Sequence, residues 1–516
     1  MASHAHDYLL PARVTLEEAG ELLSEHLDLR QGAVSSAERR FYDTFDGLLR
    51  AAGLAAAYER GRLSVTDSSS GELRAAAELA EPPERLLAYE LPHGPLRGVL
   101  EPVVELRALL PLVHLATDVR ELGVVDAADK IVVRIVLERP AVIIASGRRI
   151  GLAARARLGP VRGYEDELLD VRGTLEAGLG LVEAERTVLD EAVLAAGEQL
   201  GGVSSKIDLR LRADQRADAA AAAVLGRLLE VIEANLPGTI ADVDSEFLHD
   251  FRVAVRRSRA VQRELKGVFP PAQLASHRGE LRWLQQVTGP SRDLDVYVLD
   301  FDAFRLTVPE RFQADLDPLL SVLRGRRLAA RRAMVRELRS DRAREAISGW
   351  GSFIERLESL PEEGRVDAAR PIGELAGERI VKVYRRMLRM GRAIDASSPP
   401  EAYHELRKKG KELRYLLELL AAPVFPGEVV KPMVRSLKSL QDVLGRHQDR
   451  EVQVATLRSL AGEVSALPAG AVALMAMGVL VDWLLQDERA ARDEFAAVFT
   501  EFASPEQRSL VKDTFR

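Results

Sequence analysis

At 516 residues the chain is too long for one ordinary domain, and its length alone implies two or three, each with its own core. It has no cysteine, which excludes disulfides, thiolate metal sites and cysteine nucleophiles. The net charge of −7 conceals an uneven distribution: residues 1–200 hold 22 Lys+Arg against 33 Asp+Glu, whereas residues 201–516 hold 50 against 46.

The start, MASHAHDYLLPARVTLEEAG, lacks the basic and apolar regions of a secretory signal, and no run of about 18 apolar residues is seen, so a cytoplasmic location without membrane contact is expected. TLEEAGELLSEHL then reads as a helix. Arg39 to Val65 reads as strand, Asp-Gly turn, short link and strand. KIVVRIVLE, from Lys130, alternates so that Ile131, Val133, Ile135 and Leu137 share one strand face, leaving Lys130, Arg134 and Glu138 on a face polar enough to be wet. GYEDELLDVRGTLEAGLG is a further helix. Residues 1–200 are therefore predicted to be an α+β domain, followed by a glycine-containing linker over 201–213.

From 214 to 510 the pattern is all-helical, with helices expected over 214–235, 245–266, 272–288, 291–305, 309–340, 342–359, 366–395, 400–421, 428–444, 447–461 and 470–500. This part repeats itself. HDFRVAVRRSRAVQR from His249 registers with HELRKKGKELRYLLE from His404 at an offset of 155, and LRWLQQVTGPSRDLDV from Leu281 with LKSLQDVLGRHQDREV from Leu437 at 156. Two blocks at nearly one offset predict a duplicated helical bundle about a pseudo-twofold axis, with halves near 214–360 and 366–505.

At 100° per residue, His249, Arg252, Arg256, Arg259 and Arg263 fall within a sector of about 80°, and His404, Arg407, Lys411 and Arg414 fill the same sector of the second helix. Each helix thus carries a cationic ridge opposite an apolar face. A helical cation run is commonly a solvated face with i,i+4 ion pairs, but the acids on these helices, Asp250, Glu264, Glu405 and Glu412, sit off the ridge, near Arg257. Five of the chain's ten lysines (Lys408, Lys409, Lys411, Lys431 and Lys438) cluster in one short stretch. An anionic partner relieves the repulsion within such ridges. Beside phosphate oxygens a histidine is pushed towards its charged, two-donor form, which predicts tighter binding as pH falls through about 6.5. Metal binding is not expected, because neither ridge has a second histidine or a carboxylate at i+3 or i+4. SRDLD and RHQDRE are expected to open helices whose N-termini add N–H donors, with Ser291, Asp293 or Asp449 as caps and Arg292, Arg446 and His447 as anion contacts.

The two histidine-led blocks, the TGPSRDLDV turn and the helical surround resemble the CHAD family, the conserved-histidine α-helical domain, over roughly residues 210–505. The resemblance implies two helical bundles flanking a basic groove for inorganic polyphosphate, with His249, Arg252, Arg256, Arg259, His404, Arg407, Lys411 and Arg414 as its contacts. Arg257, Arg263, Arg292, Lys408, Lys438, Arg446 and His447 complete the candidate set. FYDTFDGLLRAAGL, KIVVRIVLE and GPVRGYEDE in the first part resemble the CYTH, or triphosphate-tunnel, family, which implies an antiparallel β barrel with helices. That family's metal-holding ExExK strand has no counterpart near the N-terminus, so no catalytic residue, metal or cofactor is expected. The expected function is polyphosphate binding, with docking on cytoplasmic polyphosphate granules. A metal-dependent triphosphatase or polyphosphate-processing enzyme, and a nucleic-acid-binding protein, are the alternatives.

Overall fold

A computed structural model describes residues 6–197, 203, 209–395 and 397–515, and the chain divides into two compact units, Met1–Ser204 and Ser205–Arg516. Most of the expected linker, 201–202 and 204–208, lies outside the described residues.

The first unit runs β1 (His6–Leu9), α1 (Leu16–Ser24), β2 (Leu29–Thr44), α2 (Leu48–Ala51), β3 (Leu54–Glu59), β4 (Arg62–Asp67), β5 (Leu73–Glu78), β6 (Leu86–Leu87), α3 (Pro95–Val104), β7 (Ala108–Val125), β8 (Ile131–Ile143), β9 (Arg149–Gly151), β10 (Arg155–Pro160), α4 (Glu165–Gly173), β11 (Val182–Glu183) and α5 (Val188–Ala196). Its strands form one antiparallel sheet in the order β11-β1-β10-β8-β7-β2-β3-β4-β5, with β6 added on β7 and β9 on β8. A sheet-rich unit of this kind is compatible with a tunnel-like domain, but the expected barrel is not closed: β11 and β5 are the two ends of the path. The β5 end is covered by α3, whose Leu96, Leu100 and Val104 share a core with Val65 and Ala75.

The alternation in β8 puts Val133, Ile135 and Leu137 in the core. The opposite face is not uniformly wet. Arg134 is exposed, but Glu138 is 2% exposed, held 3.1 Å from Arg157 and 3.6 Å from Arg39. Arg157 also meets Asp7 at 3.0 Å, Arg155 meets Glu191 at 2.8 Å, and Arg39 meets Glu59 at 2.8 Å. Cross-strand ion pairing allows carboxylates and guanidinium groups to share a buried face.

The second unit is all-helical: α6 (Ala217–Ala241), α7 (Ser245–Glu264), α8 (Pro271–Val287), α9 (Gly289–Leu299), α10 (Phe301–Thr307), α11 (Glu310–Gln313), α12 (Asp317–Leu338), α13 (Asp341–Arg356), α14 (Ile372–Arg392), α15 (Pro400–Leu416), α16 (Gly427–Ser465), α17 (Gly470–Phe502) and α18 (Pro505–Thr514). The two repeat halves share a core: Tyr297, Phe301, Phe304, Leu319 and Leu323 of the first pack with Val454, Leu457, Leu460, Leu480 and Leu484 of the second. They are also pinned where each begins, by an Arg216–Pro371 bridge and by a fully buried Asp218–Arg365 pair at 3.0 Å.

Several boundaries differ from expectation: the 291–305 stretch divides into α9 and α10 at Asp300, and α18 follows the last expected helix. The 309–340 stretch divides into α11 and α12. Conversely, 428–444 and 447–461 fuse into the 39-residue α16, which passes through Gly445 without a break. Leu437, Leu440, Val443, Leu444, His447, Val454 and Leu457 keep the helical burial period across that glycine, and this packing outweighs its propensity cost of about 1 kcal/mol. One helix, α17, is after all long and apolar enough by composition to cross a membrane. Its Ala473, Ala476, Met477, Leu480 and Leu484 pack in the shared core, and a single such helix is weak evidence for a span.

Candidate functional site

Helix α7 starts at Asp244, whose carboxylate accepts from the N–H groups of Glu246 (2.9 Å) and Phe247 (3.1 Å). Leu248, Phe251, Ala254, Val255 and Val261 are buried, which turns the ridge of Arg252, Arg256 and Arg259 away from the core and leaves it half-buried. In α15 the buried set is Tyr403, Leu406, Gly410, Leu413 and Leu416, and Arg407, Lys411 and Arg414 take the equivalent position. Both ridges line one groove of about 1070 Å³.

The repeat extends to individual contacts. His249 Nδ1 accepts from the Arg292 guanidinium at 2.9 Å, and His404 Nδ1 meets Gln448 Oε1; positions 292 and 448 are in register. Asp449 holds Arg407 at 3.0 Å, and its counterpart Asp293 acts electrostatically on Arg252. Gly289 and Gly445 serve one purpose. A Cβ at Gly289 would lie 3.7 Å from Arg252 Nη1, and one at Gly445 3.8 Å from Arg407 Nη2, so each guanidinium lies over the bare turn of a neighbouring helix. Arg252 is fixed further by donating to the Gln285 carbonyl and to Thr288 Oγ1, both at 2.8 Å.

Several groove cations are neutralised within the protein. Glu418 binds Arg257 at 3.0 Å and Arg414 at 2.5 Å, joining the two halves, while Arg450 meets Asp487 at 2.6 Å and Arg446 meets Glu494. Arg252, Arg256 and Lys411 differ: among the described residues none has a carboxylate within ion-pair distance. Burial, then the charges of Arg407 and Arg256, push Lys411 down to about 8. Burial likewise lowers Arg252, with Arg256 and Arg292 adding to the effect and Asp293 opposing it. The Arg256 guanidinium lies 6.0 Å from the centre of the Tyr415 ring.

The groove therefore gathers His249, Arg252, Arg256, Arg257, Arg292, His404, Arg407, Lys411, Arg414 and Arg446. Arg259, Arg263 and Lys408 line an adjoining cavity. Two candidates lie elsewhere. Lys438 is exposed on α16 and lines neither. His447 is 1% exposed, stacked on Tyr403 with ring centres 4.8 Å apart and with Nε2 2.7 Å from Glu488, so it holds α16 against α15 and α17. Of the two expected helix N-termini only the first is formed: SRDLD lies in the opening turns of α9, which begins at Gly289. RHQDRE is interior to α16, and at the α8–α9 junction Arg292 N–H is taken by the Thr288 carbonyl at 3.4 Å, while Ser291 is a buried interior residue rather than a cap. Nor does His249 offer two donors, since Arg292 occupies its Nδ1. Arg450, Gln448, Glu418 and Tyr415 also line the groove without having been singled out; Arg450 stands in RHQDRE, one turn beyond Arg446. Among the described residues no group of three His, Asp or Glu is placed to hold a metal.

Residues 223–458 match the family model of the CHAD domain. Two curated Mycobacterium tuberculosis proteins, the uncharacterized proteins Rv2226 of strain ATCC 25618 / H37Rv and MT2285 of strain CDC 1551 / Oshkosh, are each 29% identical over 235 residues. The match spans 42% of this chain and 42% of each relative's length. Among solved structures, the CHAD domain from the plant Ricinus communis has a TM-score of 0.49 at 23% identity, covering 58% of this chain and 96% of that one. PptA from Streptomyces chartreusis has a TM-score of 0.42 at 19% identity, covering 55% of this chain and all of that one.

Proposed function

We propose that the helical unit, which carries a CHAD domain over residues 223–458, binds linear inorganic polyphosphate in the groove between its two ridges. The CHAD family is linked to polyphosphate. The observation that carries the reading is the group Arg252, Arg256 and Lys411, three cations from both halves in one groove with no carboxylate within ion-pair distance among the described residues. An anion entering there neutralises charge that the protein does not. Arg252 and Arg407 present planar guanidinium forks suited to phosphate oxygens, and Lys411 acts as a point charge. A polymer adds contacts along its length and releases counterions, so long chains outcompete short ones, and docking on polyphosphate granules is the cellular setting proposed.

In the N-terminal unit the charged strand face is neutralised internally through Asp7, Arg157, Glu138 and Arg39. We accordingly assign it the role of a tunnel-like scaffold without hydrolytic chemistry. The test is the affinity of the full chain for long-chain polyphosphate over a range of salt, with single-stranded RNA as competitor and phosphate release followed in parallel. A steep loss with salt and preference for polyphosphate support the reading. Affinity indifferent to salt, or preference for RNA, overturns it; phosphate release with Mg²⁺ overturns the scaffold role.

A further inference from the structure

We infer that the anion path does not end with the groove: a second cavity of about 540 Å³ continues it, and one extended polyphosphate occupies both, so that the site selects for chain length. This rests on the polyphosphate reading above. The second cavity is lined by Arg259, Arg263, Arg278, Arg282, Lys408 and Lys409, among others, and it adjoins the first at Arg256, Lys411 and Tyr415, which line both. At 1.5 Å per residue the α7 ridge from His249 to Arg263 advances about 21 Å. Its first part faces the groove and its last part faces the cavity, with Arg256 common to the two.

The charges in the second cavity fall into two groups. Lys408 is paired with Glu405 at 2.6 Å, Lys409 with Glu412 at 2.5 Å and Arg263 with Glu264 at 2.6 Å. Arg259, Arg278 and Arg282 have no carboxylate within ion-pair distance among the described residues. They also repel one another. Burial, then the charges of Arg282 and Arg263, lower Arg259, and burial, then Arg263, lowers Arg278. Arg252, Arg256, Lys411, Arg259, Arg278 and Arg282 therefore make one series of cations without carboxylate partners, running from groove to cavity. A compact anion neutralises part of that series, whereas a linear polyanion neutralises all of it. Arg278 and Arg282 lie on α8, outside both ridges; Arg282 is in register with Lys438 at the offset of 156, whereas the counterpart of Arg278 is Val434.

The test compares wild type with the Arg278→Gln/Arg282→Gln double variant, using tripolyphosphate and a size-fractionated polyphosphate of many tens of phosphates. Arg282 is exposed and Arg278 donates to the Gln262 carbonyl at 2.9 Å through the end of its half-buried side chain, so circular dichroism is expected to show unchanged folding. For the long polymer, losing two contacts should flatten the slope of log affinity against log salt by about 1.4, at about 0.7 per contact for a flexible strand. Tripolyphosphate affinity should stay within a factor of about two, well under the tenfold that 1.4 kcal/mol represents. An unchanged long-chain slope, or an equal loss for both ligands, overturns the inference while leaving groove binding intact. Failure of wild type to bind either ligand overturns the polyphosphate reading, and this inference with it.

Discussion

The Nδ1 of His249 lies 2.9 Å from a guanidinium nitrogen of Arg292, and because arginine only donates, that ring nitrogen is an acceptor. The proton of the neutral ring is therefore on Nε2. Imidazole ¹⁵N spectra at pH 8 should show the Nε2–H tautomer at His249, and Arg292→Gln should relax that preference. An Nδ1–H tautomer in wild type would show that the Arg292 contact is not formed.

Lys411 gives the site its pH dependence. Burial and the neighbouring Arg407 and Arg256 charges hold it at about 8 instead of 10.5, and a bound polyanion favours the charged form again. Binding then takes up a proton between about pH 8 and 10.5. Affinity is predicted to be level with respect to this group below pH 8 and to fall above it, by at most tenfold per unit. Lys411→Arg should remove the fall, which titrations at pH 7, 8 and 9 would reveal; an identical decline in the variant would assign it elsewhere.

The same group affects stability with a definite sign. Between pH 8 and 10.5 the unfolded chain holds a proton on this lysine that the folded chain has released, so stability rises with pH across that window. Below pH 8 both states are charged and the folded state carries the full cost. Lys411→Met should therefore stabilise the free protein at pH 7, by about 1 kcal/mol after allowing for solvent screening, while weakening polyphosphate binding. Thermal unfolding with and without ligand separates the two effects. A destabilised free variant would contradict this account of Lys411.

Glu418 joins the halves by holding Arg257 and Arg414. Glu418→Gln removes the carboxylate that neutralises these two groove cations, so polyphosphate affinity and its salt slope should rise, while the free protein loses about 1–2 kcal/mol. Reduced affinity in a folded variant would mean that Glu418 positions the arginines for ligand.

Gly445 leaves room for Arg407 over α16. Gly445→Ala, whose Cβ stands at ordinary contact distance, should raise helix stability by about 1 kcal/mol and leave binding unchanged. Gly445→Leu should displace the guanidinium and weaken binding with helicity kept. Equal binding by both variants would show that the close approach of Arg407 has no role.

The ridges were legible because a cation every third or fourth residue, opposite an apolar stripe, specifies a helix face, and because the repeat indicated that the two faces belong together. The register at 156 also relates Arg292 to Gln448 and Gly289 to Gly445, although what those pairs touch emerges only from packing. His447 misled for the opposite reason. A histidine next to arginines reads as an anion contact, yet its position in the helical period puts it among Tyr403 and Glu488. Both helix starts were inferred from glycine: the one before SRDLD is formed, since α9 begins at Gly289, but at RHQDRE the breaking tendency of Gly445 is weaker than continuous burial along one face of α16. Arg282 had a signal in its register with the basic Lys438, but Arg278, whose counterpart is Val434, had none, and that both face cations of α7 and α15 emerges only from packing. In the N-terminal unit the strand of Lys130 to Glu138 could be read from its alternation, but not the ion pairs that bury Glu138, which come from β2 and β10.

The central claim is tested most directly by titrating long-chain polyphosphate into the full chain and into the Arg252→Ala/Arg256→Ala/Arg407→Ala/Lys411→Ala variant, with circular dichroism confirming that both are folded. The account predicts an affinity at least a hundredfold lower in the variant, about 2.7 kcal/mol, and a flatter salt dependence. Unchanged affinity in a folded variant would contradict it.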